Sequence, residues 1–225
     1  MLQHFSRLQD EDVSPKDYFG YAQKLRKEDK LEIKKTKELA EAYRTYEGLK
    51  TKENVMDFGD LITKTLKLFR ERKNILKNYK RQFKHILVDE FQDTNYAQYE
   101  LIKLLADSKK NANIVVVGDD SQSVYKFRGA AVSNILSFKK DYKKAKTITL
   151  IKNYRSTQTI LDSAYRLIKF NDPDTLEAQL GISKKLVAQR KIKEEDIKFI
   201  HAARVENEAD EIAKEIKKLI KEEKF

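Results

Sequence analysis

The stretch His85-Ile-Leu-Val-Asp-Glu-Phe-Gln-Asp-Thr-Asn95 decides the fold class. Its apolar residues run continuously instead of alternating with polar ones, and the run ends on two acids. A continuous apolar run marks a strand buried on both faces, the habit of parallel sheets. Three further runs share the pattern: Asn113-Ile-Val-Val-Val-Gly-Asp119, Thr147-Ile-Thr-Leu-Ile151 and Ile197-Lys-Phe-Ile200. Helical periodicity lies between and after them, over about 96–107, 131–139, 157–170 and 205–223. Strands alternating with helices predict an α/β fold, a parallel sheet flanked by helices. Upstream, one helix is expected over 16–50, with Ser14 as cap and Pro15 at its first position, closing near Gly48 and 50–54. A second is expected over 56–78. The polar stretch 171–195, with Pro173 and Gly181, reads as a connection.

Composition narrows the class. The 225 residues carry 47 Lys+Arg against 36 Asp+Glu, a net charge of +11. There is no Cys, which excludes disulfides, thiolate zinc sites and Cys nucleophiles. His4, His85 and His201 are too scattered in sequence to form a metal-ligand cluster. No apolar run approaches the ~20 residues that span a bilayer, and the first residues lack a signal-peptide pattern. A soluble, cytoplasmic protein is expected. The basic surplus is concentrated: 63–84 and 126–155 each hold nine Lys/Arg and one acid. Such stretches suit a polyanion partner, although solvated Lys-rich helix faces give the same composition.

Three strings carry chemistry. In 86–95, Asp89 and Glu90 sit where a buried strand ends, the end of an open α/β sheet at which ligands bind. One carboxylate there can hold Mg²⁺, and the other can orient and deprotonate a water. Acids also end strands merely to stay solvated. The second string is Val117-Gly-Asp-Asp-Ser-Gln-Ser-Val-Tyr-Lys-Phe-Arg-Gly-Ala130. Gln122 offers an amide to a phosphate, and Tyr125 and Phe127 beside Lys126 and Arg128 form a stacking platform for single-stranded nucleic acid. The competing reading places both aromatics in the core at strand spacing. In the third, Leu150-Ile-Lys-Asn-Tyr-Arg-Ser-Thr157, Ser156 or Thr157 can cap the following helix. Arg155 can reach a phosphate and Tyr154 can stack on a base; the alternative is a capped helix with an exposed Arg and a packed Tyr.

In order and spacing these strings resemble motifs II, III and IV of the UvrD/Rep-type superfamily 1 DNA helicases. Asp89–Asn95, Val117–Ala130 and Asn153–Thr157 carry the likeness. Met56–Ile62 is similar to the segment by which the chain re-enters the first motor domain. Glu206–Ile220 is similar to a helix of the second. The resemblance implies partial RecA-like P-loop NTPase motor domains behind an N-terminal helical segment. Residues 1–54 would be the tail of the helical insert 1B, 55–145 the second half of domain 1A, and 146–225 the first part of domain 2A.

The roles it implies follow position by position. Asp89 holds Mg²⁺ of Mg-ATP, and Glu90 is the base for the hydrolytic water. Gln122 senses the γ-phosphate. Tyr154 stacks on adenine and Arg155 stabilises charge on the γ-phosphate. Tyr125, Phe127 and Arg128 contact single-stranded DNA, with Phe127 in place of a more usual Trp. The expected activity is that of an ATP-dependent 3′–5′ DNA helicase active in DNA repair.

A phosphate loop needs G-x-x-x-x-G-K-[ST], and none of the six glycines is followed by Lys-Ser/Thr. The late helicase motifs are missing as well. The chain is therefore expected to be inactive alone and to need the segments that carry both. Two other readings stay open: a helicase-like module that binds single-stranded DNA without turnover, and the helicase subunit of a recombination nuclease complex.

Overall fold

The computed structural model describes residues 1–26, 29–106, 112–122, 132–190 and 197–223. The chain divides into two compact units, Met1–Thr147 and Ile148–Phe225.

The first unit opens on helices. The sequence reading assigns no element to α1 (Leu2–Asp10); its Phe5 is buried and stacks on Tyr43 at 4.9 Å. The single helix expected over 16–50 is instead two, α2 (Pro15–Lys24) and α3 (Lys30–Lys52), packed on each other. One straight helix would leave Ala22, Thr36 and Ala40 in water; folding back buries all three. Ser14 and Asp17 form a reciprocal capping box at the start of α2. Gly48 does not end α3, which continues to Lys52.

The expected helix over 56–78 also divides, into α4 (Phe58–Glu71) and α5 (Lys73–Gln82), at Arg72. Arg72 leaves the helical region (φ −113°, ψ 78°), and the bend lets Phe69 meet Tyr79 at 5.3 Å while Leu66, Phe69 and Leu76 stay buried. No glycine or proline marks the break.

Two short strands follow, β1 (Ile86–Val88) and β2 (Ile114–Val116), parallel and in register Ile86 to Ile114. The crossover between them contains α6 (Tyr96–Ala106), and α7 (Val132–Asp141) lies beyond. The core here is Phe91, Tyr99, Phe138 and Tyr142, with Val88, Ile114 and Val116 packed against it. The parallel pairing agrees with the sequence; burial on both faces does not. Leu87 is 76% and Val115 55% exposed, because in each strand the middle residue points away from that core.

The second unit departs further. The run 147–151 forms no strand, and Ile148 and Leu150 are exposed. The ladder comes just after it, β3 (Lys152–Asn153) paired parallel with β4 (Val187–Ala188), inside the stretch read as a connection. Between these strands run α8 (Gln158–Ile168) and the short α9 (Leu176–Leu180). The expected strand over 197–200 is also absent, and Phe199 is 89% exposed. Apolar residues make a ladder only when a partner strand lies alongside. The closing helix, α10 (Val205–Glu223), spans the range expected.

Candidate functional site

The carboxyl ends of β1 and β2 converge through one buried amide. After Val88 the chain stays paired for one more step: Val117 N–H donates to Val88 O at 2.8 Å and Phe91 N–H to Val117 O at 2.9 Å. Glu90, between them, sits in the left-handed region at φ 48°, ψ 41°. For a residue with a Cβ this costs of order 1–3 kcal/mol and persists only where the surroundings enforce it.

Gln92 supplies the enforcement. It is 1% exposed; its Nε2 donates to Glu90 Oε2 at 2.7 Å, and its Oε1 accepts from Asp119 N–H at 3.0 Å. The amide thus fixes the Glu90 carboxylate against the end of β2. Gly118 makes room for it, since a Cβ there would lie 2.9 Å from Gln92 Oε1 and 3.2 Å from Gln92 N. Asp119 extends the chain of contacts: its Oδ1 accepts from Ser121 N–H at 3.1 Å, and its Oδ2 from Gln122 Nε2 at 3.0 Å. Glu90, Gln92, Asp119 and Gln122 form one hydrogen-bonded series. The sequence reading gives Gln92 and Asp119 no role; the one signal for Gln92 is a polar amide following Phe91 inside an otherwise core-forming string.

Asp89 precedes this series with an exposed carboxylate, one oxygen of which accepts from Glu90 N–H at 3.0 Å. Asp89, Glu90 and Asp93 line an open depression of about 430 Å³ together with the apolar Val88 and Ile102. Asp93 Oδ1 is buried and has no hydrogen-bond partner among the described residues. The exposed Asp89 carboxylate is a hard oxygen donor of the kind that holds Mg²⁺ through one or two protein oxygens and several retained waters. Among the described residues no three acids or histidines converge into a closed metal cage.

Tyr154 and Arg155 lie in the second unit, at the carboxyl end of β3. Asn153 Oδ1 accepts from Arg155 N–H at 3.0 Å and Ser156 N–H at 2.8 Å, turning the chain toward α8. Thr157 stands at the N-cap position, but its side chain makes no cap bond, so the turn is closed by Asn153 instead of the expected hydroxyl. Gln158 ties the start of α8 to β4 by accepting from Ala188 N–H at 3.0 Å. Tyr154 is 69% exposed and not packed. Arg155 is exposed too, with its carbonyl held by Arg190 Nη1 at 3.1 Å. The first unit therefore gathers Asp89, Glu90 and Gln122, and the second presents Tyr154 and Arg155. Tyr125, Phe127 and Arg128 lie outside the described residues.

Comparison with known proteins agrees over both units. The profile of the UvrD/REP helicase N-terminal domain matches residues 1–143, and that of the UvrD-like helicase C-terminal domain matches 148–225. The chain is 50% identical over 133 residues to the ATP-dependent DNA helicase PcrA of Staphylococcus aureus (strain Mu50), covering 59% of this chain and 18% of that protein. The PcrA of Staphylococcus epidermidis (strain ATCC 35984) is 49% identical over the same length. The chain thus spans about a fifth of the length of the curated relatives it matches. No described helix is long and apolar enough to cross a membrane.

Proposed function

The chain belongs to the UvrD/REP helicase family, and from that membership we propose that it supplies the strand ends at which an ATP-dependent 3′–5′ DNA helicase hydrolyses Mg-ATP and couples hydrolysis to movement on single-stranded DNA. Residues 1–54 serve as the tail of a 1B-like helical insert, 55–145 as part of domain 1A and 146–225 as part of domain 2A. The remaining helicase segments, with a phosphate loop and late motifs, are its partners, and the setting is cytoplasmic.

The observation that carries this reading is the strained Glu90 backbone locked by Gln92. A structural acid at a strand end needs neither the left-handed conformation nor a buried amide aimed at its carboxylate. A base that must present one oxygen to a water benefits from both. In this reading Glu90 takes the proton of the attacking water. Asp89 would hold Mg²⁺, which neutralises phosphate charge when bound. Gln122, at the far end of the hydrogen-bonded series, relays the presence of a γ-phosphate to the segment that follows it. Tyr154 stacks on the adenine and Arg155 stabilises the transferring phosphoryl group. Tyr125, Phe127 and Arg128 contact the DNA strand.

The test is phosphate release in the full-length protein with single-stranded DNA present. Glu90→Gln is expected to bind ATP while losing turnover, because the amide keeps the shape and the bond from Gln92 but takes no proton. Turnover at the parental rate in Glu90→Gln would remove Glu90 from the reaction. The 225-residue chain alone is expected to release no phosphate above background.

A further inference from the structure

One polar residue interrupts the apolar stripe that α7 turns to the core. Asn134 and Phe138 on α7, and Tyr142 just past its end, recur at four-residue spacing, and all three are buried. Phe138 and Tyr142 join Phe91 and Tyr99 in the core. An apolar side chain at 134 would continue the stripe. Instead the Asn134 amide points its Nδ2 at the Thr94 carbonyl oxygen and donates to it at 2.8 Å.

Thr94 closes the turn on which Glu90 sits. Asp93 N–H donates to Glu90 O at 2.9 Å. Thr94 donates twice to Phe91 O, from its N–H at 3.2 Å and from its Oγ1 at 2.6 Å. Residues 90–94 are thus bonded end to end, and a shift at Thr94 is carried back to Glu90. Gln92 holds the middle of this turn to the end of β2 through Asp119 N–H. Asn134 holds its far end to α7, and Phe138 adds an edge-on contact with Phe91 at 5.8 Å. A left-handed residue with a Cβ persists only where its surroundings over-determine it. One anchor would leave the turn free to pivot; two anchors on different elements fix its direction.

Stability and positioning make different demands on this amide. A buried carbonyl needs a donor wherever it lies, and losing that donor lowers stability. A catalytic consequence arises only because Thr94 O belongs to the same bonded turn as Glu90. Misplacing a reacting group by about 1 Å can cost of order 100-fold in rate, even when the change lies away from the chemistry.

We propose that Asn134 is a positioning residue for the reaction at Glu90: from α7 it anchors the 90–94 turn and so fixes the direction in which the Glu90 carboxylate meets the attacking water. It acts only through Thr94 and the turn that Thr94 closes. This inference rests on the reading of Glu90 as the base.

The test is steady-state ATP hydrolysis by the full-length protein at saturating single-stranded DNA, with kcat separated from KM for ATP. Asn134→Leu removes the donor at similar volume. Asn134→Ala also removes it, suits a helix, and decides the matter if Asn134→Leu does not fold. Tyr99→Phe is the control for loosened packing: it deletes the 2.7 Å bond from Tyr99 Oη to Asp141 Oδ2, which also joins α6 to α7, and leaves the Asn134–Thr94 bond in place. Circular dichroism and thermal midpoints establish that every variant is folded at the assay temperature. The Asn134 variants are expected to lose about 10-fold or more in kcat while KM, and Kd for a non-hydrolysable ATP analogue, stay within about twofold, the pattern of an interaction felt in the transition state. Tyr99→Phe is expected to lower the midpoint and keep the parental kcat. Parental kcat in the folded Asn134 variant, an effect on KM alone, or an equal loss of kcat in Tyr99→Phe would each overturn the proposal. Glu90→Gln in the same assay separates the two readings. If it loses turnover while the Asn134 variant keeps it, only the positioning role falls; if it turns over at the parental rate, the base and the residue that positions it fall together.

Discussion

Gln92 and Gly118 show how one contact couples two strings of sequence. The amide occupies the space that a side chain on residue 118 would fill, and through it Glu90 is held to Asp119. Gly118→Ala is therefore expected to push the amide out of place. Forcing extra volume into such a packed site costs typically ~1–3 kcal/mol, and the Asp119 N–H would lose its acceptor. Gly48 gives the opposite sign. It lies exposed inside α3, and a methyl group added there would meet nothing within 4 Å, so Gly48→Ala is expected to stabilise by roughly 0.5–1 kcal/mol. Denaturant midpoints at constant slope read both effects. A Gly118→Ala chain as stable as the parent would mean that Gln92 is free to move, and its role in positioning Glu90 would fall with it.

At the scale of elements, three helices of the first unit meet on one carboxylate. Asp57 caps α4 by accepting from Asp60 N–H at 2.8 Å, and it also accepts from Lys50 on α3 at 2.8 Å and Gln9 on α1 at 3.1 Å. Burial alone would raise its pKa, but Lys50, the Asp60 N–H, Tyr46 and Gln9 outweigh burial and bring it from 3.8 down to about 2. A depressed pKa in the folded state means stability present above the unfolded value and lost as pH falls through the folded one. Asp57→Asn should therefore lie below the parent in denaturant midpoint by a constant gap above about pH 5. That gap should close between about pH 4 and pH 2, and a gap unchanged at about pH 2.5 would contradict the assignment. Parts of this arrangement are readable in the sequence and others are hidden. Ser14-Pro15 signals α2 because cap chemistry is local, and α6, α7, α8 and α10 follow from periodicity within a few residues. The break at Arg72 is hidden because tertiary contact between Phe69 and Tyr79 imposes it, with no glycine or proline to announce it. The run 147–151 misleads because its apolar residues are neither buried nor paired: Ile148 and Leu150 are exposed, and the ladder forms just beyond, between Lys152–Asn153 and Val187–Ala188 in a polar stretch. At the site the acids are legible from position alone. Gln92 is not, since its role depends on a residue 27 positions away.

Across the whole molecule, apolar surface stays uncovered in both units. In the first, Leu87 and Val115 form the outward face of the β1–β2 pair, with Val117 49% exposed beside them. In the second, Ile212, Ile216 and Ile220 recur every four residues along α10 and are each 42–55% exposed, while Phe199 is nearly fully so. A two-stranded ladder also leaves backbone donors and acceptors open on its edges, a template for further pairing. Contiguous apolar patches drive association, and each partly exposed aliphatic side chain adds to that drive in proportion to its apolar area, at about 25 cal/mol per Å². The net charge of +11 opposes it through repulsion, and salt removes that opposition by screening. The isolated chain is therefore expected to self-associate more strongly at about 0.5 M than at about 0.05 M salt, the reverse of what charge-driven assembly would give. Leu87→Thr/Val115→Thr puts β-branched residues at both strand positions while reducing the apolar face, and it should lower the mass-averaged size seen by light scattering at high salt. If the double variant associates like the parent and Ile212→Gln/Ile216→Gln does not, the α10 stripe, not the sheet face, is the surface that drives assembly.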